Sequence, residues 1–363
     1  MIVVVLRDER EMAERRGVRF ADRPTYRGTS GGENVQLGDA SDPGEGTGEA
    51  QQGPHHIVFG LDARFAPHVA ASIASVLLAA RGASFHFHLV HLGLPTTLLA
   101  WLERTTELGD AVMTIHPVPV SLARCLPPDG PYPTSAWLRL TVPELLEGPH
   151  VTYLDGDTLI LDSIEDLRIV DPGSSGVAAA RDPHVLASDI TDMPPDVSYF
   201  NSGVMRMNLD TWRATTLHER ALAYAAGTAA PIPYADQTAL NVVLEGAWHE
   251  IDPRFNVLVN APRTPRGSDA DFAQRYRFAV RNPSIVHYAG PGSPAEFGRF
   301  VPYKRAYWRS RNTTPFRRPI GEGPYHPLAL VARFAWRLNQ QGRLARRLPP
   351  FLRQYLQHRL RKR

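Results

Sequence analysis

Between residues 56 and 154 the chain alternates short apolar runs with longer helical patterns, and this alternation constrains its fold more than any other feature. His56-Ile-Val-Phe-Gly-Leu61 reads as a strand, and the small and aliphatic residues 69–80 read as a helix. Residues 85–92 form a second predicted strand, 96–107 a second helix, 112–118 a third strand, 136–145 a helix and 151–154 a fourth strand. Strand–helix alternation with short connections indicates an α/β chain: a mainly parallel sheet with helices on both faces. Ligands of such sheets bind outside the carboxyl ends of the strands. Asp62 and Asp155 both follow predicted strands, so two acids far apart in sequence are expected to share one crevice.

The second of those strand ends carries a pair of acids. Asp155-Gly156-Asp157 sits between the apolar runs 151–154 and 158–161. Side chains two apart on an extended segment point the same way, so Asp155 and Asp157 are expected to face one space. Adjacent carboxylates repel unless something neutralises them, and a divalent cation does so well. The pattern points to a metal site holding a phosphorylated ligand; the competing reading is a turn or a patch of surface acids. A second copy, Asp269-Ala270-Asp271, lies in a polar stretch with no strand before it and reads as a solvated loop. No Gly-x-Gly-x-x-Gly follows the first strand and no Gly-x-x-x-x-Gly-Lys-Ser/Thr occurs, which argues against a dinucleotide oxidoreductase and a P-loop phosphotransferase.

Composition narrows the classes further. The 363 residues, 43% of them hydrophobic, can bury a sizeable core. No run of about 18 apolar residues occurs, so no transmembrane helix is expected. The apolar start, residues 1–6, is followed at once by Arg7-Asp-Glu-Arg10 and is too short for a signal-peptide core. The single cysteine, Cys125, excludes an internal disulfide and a cysteine-based zinc site, and a cytoplasmic location is the simplest expectation. Residues 1–54 are rich in Gly, Ser and acids and are expected to be a mostly disordered leader. The net charge is only +3, but from His326 onward there are nine Arg and one Lys with no Asp or Glu. Apolar residues interleave with these arginines, giving a basic amphipathic extension over residues 313–363. It reads as an attachment to an anionic membrane surface on the inner face of the cell membrane, or else as a helix packed on the body of the protein or a disordered tail. No nucleic-acid recognition motif accompanies the charge, so no nucleic-acid partner is expected.

Five segments in order complete a pattern: Phe59-Gly-Leu-Asp-Ala-Arg-Phe65, Tyr153-Leu-Asp-Gly-Asp157, Tyr199-Phe-Asn-Ser-Gly-Val-Met-Arg-Met-Asn-Leu209, Asp236-Gln-Thr-Ala-Leu-Asn241 and His287-Tyr-Ala-Gly-Pro291. Together they resemble glycosyltransferase family 8, over residues from about 56 to about 310. The resemblance implies a GT-A fold in a catalytic domain spanning 55–312, a manganese (or magnesium) ion, a UDP-hexose donor (UDP-galactose or UDP-glucose) and transfer with retention to a glycan or lipid-linked acceptor. By the same analogy Asp155, Asp157 and His287 bind the metal. Two carboxylate oxygens and one imidazole suit Mn²⁺, with the diphosphate completing an octahedron. Asp62 would accept from the uracil N3–H, Phe65 would stack on the base, and Arg139, Gly290 and Ser293 belong to the donor-binding set. Asn201, Asp236, Gln237 and Asp182 match residues around the reacting sugar. The family position of a nucleophile holds an amide, here Gln237. Both a route through that side chain and a front-face route, in which the departing phosphate oxygen takes the acceptor proton, stay open.

One position departs from the family. Six residues after the metal-binding histidine the family has a lysine on the diphosphate; here that position is Ser293, followed by Pro294 and Ala295. A neutral hydroxyl does not replace a point charge on a phosphate. Either Arg299 or Lys304 reaches in, or turnover is weakened. The alternative function is therefore a degenerate protein that binds a nucleotide sugar without turning it over.

Overall fold

The computed structural model describes residues 53–317, apart from 81, 230, 261–263, 268, 291–293 and 295–300. The leader up to residue 52, Ser293, Arg299 and the arginine-rich stretch from 318 onward lie outside the described residues. A seven-stranded sheet organises the rest. His55–Leu61 (β1) pairs in parallel with Phe85–His91 (β2), which pairs in parallel with Ala111–Pro117 (β3). On its other side β1 pairs in parallel with His150–Leu154 (β4). Phe200–Asn208 (β7) runs antiparallel between β4 and Val177–Arg181 (β6), and His249–Glu250 (β8) lies parallel to β6. The order is β3-β2-β1-β4-β7-β6-β8, a mixed sheet that is mainly parallel. A second sheet of three short strands sets Ile285–His287 (β10) between Thr158–Ile160 (β5) and Val257–Leu258 (β9).

From Ile57 to Leu61 β1 carries only apolar residues, because both faces of the strand are covered there. Ile57, Phe59 and Leu61 join Phe85, Phe87 and Leu89 of β2 against Val69, Ile73 and Leu77 of the helix Ala66–Ala79 (α1). On the other face Val58 and Val90 join Trp137, Leu138, Tyr153, Met205, Met207 and Leu240. Small residues let α1 lie close, and its two serines tie it to the second sheet: Ser72 Oγ is 2.9 Å from Thr158 Oγ1, and the Ile160 N–H donates to Ser75 Oγ at 2.9 Å. Among the described residues, the other α-helices of eight residues or more are Thr96–Glu103 (α2), Leu217–Gly227 (α3), Asp236–Leu244 (α4), Ala270–Arg281 (α5) and Lys304–Asn312 (α6). Tyr307 of α6 reaches His68 of α1 at 2.9 Å, and Phe316 packs in the first core, past the boundary at residue 312.

Three expectations change. The helix expected over 136–145 is a 3₁₀ segment, Thr134–Thr141, followed by a short α-turn, Val142–Leu145. Pro143 lacks an N–H and suits only a first helical turn, so a new turn starts there. Residues 104–108 likewise tighten into a 3₁₀ turn after α2. Asp269-Ala270-Asp271 is no loop: Asp269 caps α5 by accepting from the Phe272 N–H at 2.7 Å, and Asp271 pairs with Arg275 at 2.8 Å. Among the described residues no helix is long and apolar enough to cross a membrane.

Candidate functional site

β4 ends at Leu154, and the chain passes from the large sheet to the small one through Asp155-Gly156-Asp157. The two acids thus share a turn rather than an extended segment, with the Thr158 hydroxyl donating to the Asp155 carbonyl at 2.9 Å. They converge because a third group comes between them. The antiparallel β5–β10 register sets His287 opposite Thr158, which puts its Nε2 3.2 Å from Asp157 Oδ1 and 3.5 Å from Asp155 Oδ2. One donor atom from each of the three lies within 4.8 Å of the others.

β7 supplies the floor. Its register with β6 shifts between Ala179 and Ala180, so Ala179 faces Met205 while Ala180 faces Asn201. Such a bulge re-aims the residues it releases, here Ser202 and Gly203. A Cβ on Gly203 would stand 2.1 Å from His287 Cε1 and 2.8 Å from Asp155 Oδ2. Only a residue without a side chain lets His287 and Asp155 close over the strand.

A buried polar network extends from these three side chains. His287 Nδ1 lies 3.0 Å from Asn256 Oδ1, and Asn256 Nδ2 donates to Asn201 Oδ1 at 2.9 Å. The Gly203 N–H, which can only donate, also points at Asn201 Oδ1 at 3.1 Å. That fixes the Asn201 amide and, through it, the Asn256 amide. His287 therefore carries its proton on Nδ1 and presents Nε2 to the carboxylates. Asn201 Nδ2 donates to Asp182 Oδ2 at 3.1 Å and to Gln237 Oε1 at 3.0 Å, Gln237 Oε1 also accepts from the Ser202 N–H at 3.3 Å, and Gln237 Nε2 donates to Asp182 Oδ2 at 3.3 Å.

Arg139 is 4% exposed and holds the other side of the site. Its Nη2 donates to Asp155 Oδ1 at 2.8 Å, its Nη1 donates to the Ser202 carbonyl, and its Nε lies 2.7 Å from Asp236 Oδ2 as an ion pair rather than a well-directed hydrogen bond. The guanidinium also sits 4.5 Å over the Tyr153 ring. Burial works against its charge, but Asp155 and Asp236 outweigh it and hold its pKa above the ordinary value. Burial pushes Asp236 up to about 6 in spite of Arg139. For His287, burial is outweighed by Asp157 and Asp155, which raise its pKa; for Asp157, burial is outweighed by His287, which lowers it.

Asp236 and Gln237 open α4 from a constrained backbone. Tyr234 (φ 58°) and Ala235 (φ 49°) both occupy positive φ, a conformation costing about 1–3 kcal/mol per residue and concentrated at functional sites. The Tyr132 hydroxyl accepts from the Tyr234 N–H at 3.2 Å and helps to hold it.

Asp62 follows β1. Its Oδ1 accepts from the N–H groups of Arg64 and Phe65 at 2.8 and 3.2 Å, and its Oδ2 accepts from Ser135 Oγ at 3.2 Å. Phe65 lies against the Asp-Gly-Asp turn: a Cβ on Gly156 would meet it at 3.2 Å. Gly290 (φ 78°) is exposed three residues past His287. Asn201 is 6% exposed on β7. Sequence reasoning missed Asn256, Ser202 and the need for Gly203; the last two lie inside the quoted Tyr199–Leu209 segment, while Asn256 stands in no motif.

The donor set fits a divalent cation. Four carboxylates, Asp155, Asp157, Asp182 and Asp236, share this network with one guanidinium, and the excess negative charge lies beside His287 Nε2.

Residues 56–294 match the sequence model of the family described as glycosyl transferase family 8. General stress protein A of Bacillus subtilis (strain 168) is 24% identical over 275 residues, covering 71% of this chain and 93% of that protein. Lipopolysaccharide 1,2-glucosyltransferase of Escherichia coli (strain K12) is 21% identical over 268 residues, covering 72% of this chain and 79% of that protein. Among solved structures, galactosyltransferase LgtC in complex with donor and acceptor sugar analogs superposes with a TM-score of 0.65 at 22% identity, covering 73% of this chain and 98% of that one.

Proposed function

Because the chain belongs to glycosyltransferase family 8 and has the GT-A fold, we propose that it transfers galactose or glucose from a UDP-hexose, with retention of configuration, to a glycan or lipid-linked acceptor such as lipopolysaccharide. The observation that carries this reading is the convergence of Asp155, Asp157 and His287 on one point, with Asn256 orienting the imidazole. These three residues would hold Mn²⁺ or Mg²⁺, which when bound would supply Lewis-acid stabilisation of charge on the departing UDP.

The protein groups divide the remaining work. Asp62 and Phe65 receive the uracil at the end of β1. Arg139 holds the Asp155 carboxylate in place through its Nη2. Asp182, Asn201 and Gln237 meet the hexose. Gln237 Oε1 already accepts from Asn201 Nδ2 and the Ser202 N–H, so its lone pairs are engaged and it is a poor nucleophile. That supports the front-face route. The bond from the anomeric carbon to the phosphate oxygen breaks, the acceptor hydroxyl oxygen forms the new bond, and its proton passes to the departing phosphate oxygen. Gln237 stabilises positive charge at the anomeric carbon.

UDP release measured across UDP-hexoses and a panel of glycan acceptors tests the proposal. Release from UDP-galactose or UDP-glucose is expected with Mn²⁺ and acceptor. Tight UDP binding without transfer would instead identify a nucleotide-sugar-binding protein, and neither binding nor transfer would reject both readings. Asn256 gives a further expectation. Losing an outer partner of a ligating histidine costs about 10–100-fold in metal affinity, so calorimetry should show that loss in Asn256→Ala. In both proteins Mn²⁺ must displace the proton that Asp157 and Asp155 favour on His287, so its affinity should rise with pH.

A further inference from the structure

The sheet carries a second group of metal-ligating side chains, at the amino ends of β1 and β2, on the face opposite α1. Strand alternation places His56 of β1 with His86 and His88 of β2 on that face, beside Thr114 and His116 of β3. The register pairs His56 with His86 and His88 with Thr114. His56 Nδ1 lies 3.0 Å from His88 Nε2, and one nitrogen from each of His56, His86 and His88 lies within 4.8 Å of the others. The catalytic turn lies beyond the other end of the same strands. From His56 to Asp62 the chain covers about 20 Å at the rise of an extended strand.

We propose that His56, His86 and His88 form a second metal site, which takes a zinc-class divalent cation rather than the oxygen-seeking cation of the Asp155–Asp157–His287 site. Imidazole-only ligation suits Zn²⁺, Ni²⁺ and Cu²⁺ and disfavours Mg²⁺ and Mn²⁺. Three imidazoles with a fourth position left to water is the ligand set that holds zinc in carbonic anhydrase. The outer nitrogens are already engaged: His86 Nε2 is 2.7 Å from Thr114 Oγ1, and His88 Nδ1 is 3.0 Å from His116 Nε2. Such partners set the tautomer and orientation of a ligating ring. They leave His86 Nδ1 and His88 Nε2 to share the space with His56 Nδ1.

Burial holds all four histidines below their ordinary pKa, with His86 adding to the effect on His56, His88 and His116; His88 falls to about 3. The His86 and His88 rings stack with centroids 4.1 Å apart, which keeps their nitrogens close together on the sheet face. A bound cation would staple β1 to β2 and raise the melting temperature, since it binds only the folded chain.

Tag-free protein titrated with zinc chloride, read by calorimetry, tests the site. Wild type is expected to take up two Zn²⁺ ions, and the His56→Ala/His86→Ala variant only one. In an Asp157→Ala background one ion should remain, and adding the two histidine substitutions should weaken it at least ~10-fold, the smaller loss seen when even an outer partner of a ligating histidine is removed. X-ray absorption of zinc in the Asp157→Ala protein should show an imidazole shell without carboxylate oxygen. Equal metal-free melting temperatures would show that the histidine variant is folded. The proposal is overturned if zinc uptake is the same with and without His56 and His86, or if the zinc in Asp157→Ala has carboxylate ligands. Neither outcome bears on UDP-sugar transfer, so the catalytic reading stands or falls separately.

Discussion

Replacing Gly203 by alanine is expected to lower hexosyl transfer about 1,000-fold or more, the loss that follows when several kcal/mol of transition-state charge stabilisation is withdrawn. The added Cβ would stand 2.1 Å from His287 Cε1, 2.7 Å from its Nδ1 and 2.8 Å from Asp155 Oδ2. Separations this short cannot persist, so His287 or β7 must move. Either motion breaks the contact of His287 with Asn256 or its approach to Asp157, and the three donor atoms lose their common point. The overpacking itself costs about 1–3 kcal/mol of stability, which denaturant melts would measure. The telling comparison is with Mn²⁺ affinity in the folded variant, which should fall together with the rate. Retention of both metal affinity and turnover in Gly203→Ala would remove Gly203 from the account.

Arg139→Ala is expected to destabilise the protein by about 3–5 kcal/mol, the cost of leaving a buried ionic partner uncompensated. The guanidinium is wedged between Asp155 and Asp236, and both it and the Asp236 side chain are 5% exposed. Without it Asp236 is left beside Ser202 Oγ, and Asp155 faces Asp157 with no cation from the protein on its far side. Arg139→Lys would restore only part of the loss, because one ammonium cannot match the separate approaches of Nε and Nη2. A double variant, Arg139→Met with Asp236→Asn, removes the stranded charge and should recover much of the stability while remaining inactive. Urea titrations that show unchanged midpoints for Arg139→Ala would mean that the pair contributes nothing to folding.

The parts of the site that were legible in the sequence are those set by strand ends. Asp62 and Asp155 follow apolar runs that become β1 and β4, and a parallel sheet brings adjacent strand ends together. Arg139, Asn201, Asp236, Gln237 and His287 were marked only through the family resemblance, with no local periodicity behind them. β5, β9 and β10 are two or three residues long, too short to show periodicity, yet the register of β10 on β5 delivers His287. Arg139 reads as a surface residue until the 3₁₀ turn and the two carboxylates around it are known. Asn256 is a single asparagine before a short strand, and its role depends on an amide chain through Asn201 that only tertiary contacts create. Asp269-Ala270-Asp271 shows the converse: the same spacing as the metal pair, set at a helix start, caps α5. Spacing alone could not separate the two copies, whereas the strand before Asp155 did.

Asp155, Asp157 and His287 are proposed to hold a cation that carries the donor's diphosphate. The most direct test is calorimetric titration of UDP into the protein with Mn²⁺ and after chelation, in wild type and in Asp157→Ala. UDP affinity in the wild type should drop about 100-fold or more on chelation, equivalent to about 2.7 kcal/mol of binding free energy. In Asp157→Ala, Mn²⁺ should no longer raise it. Equal UDP affinity with and without the cation, or an undiminished Mn²⁺ effect in Asp157→Ala, would contradict the account.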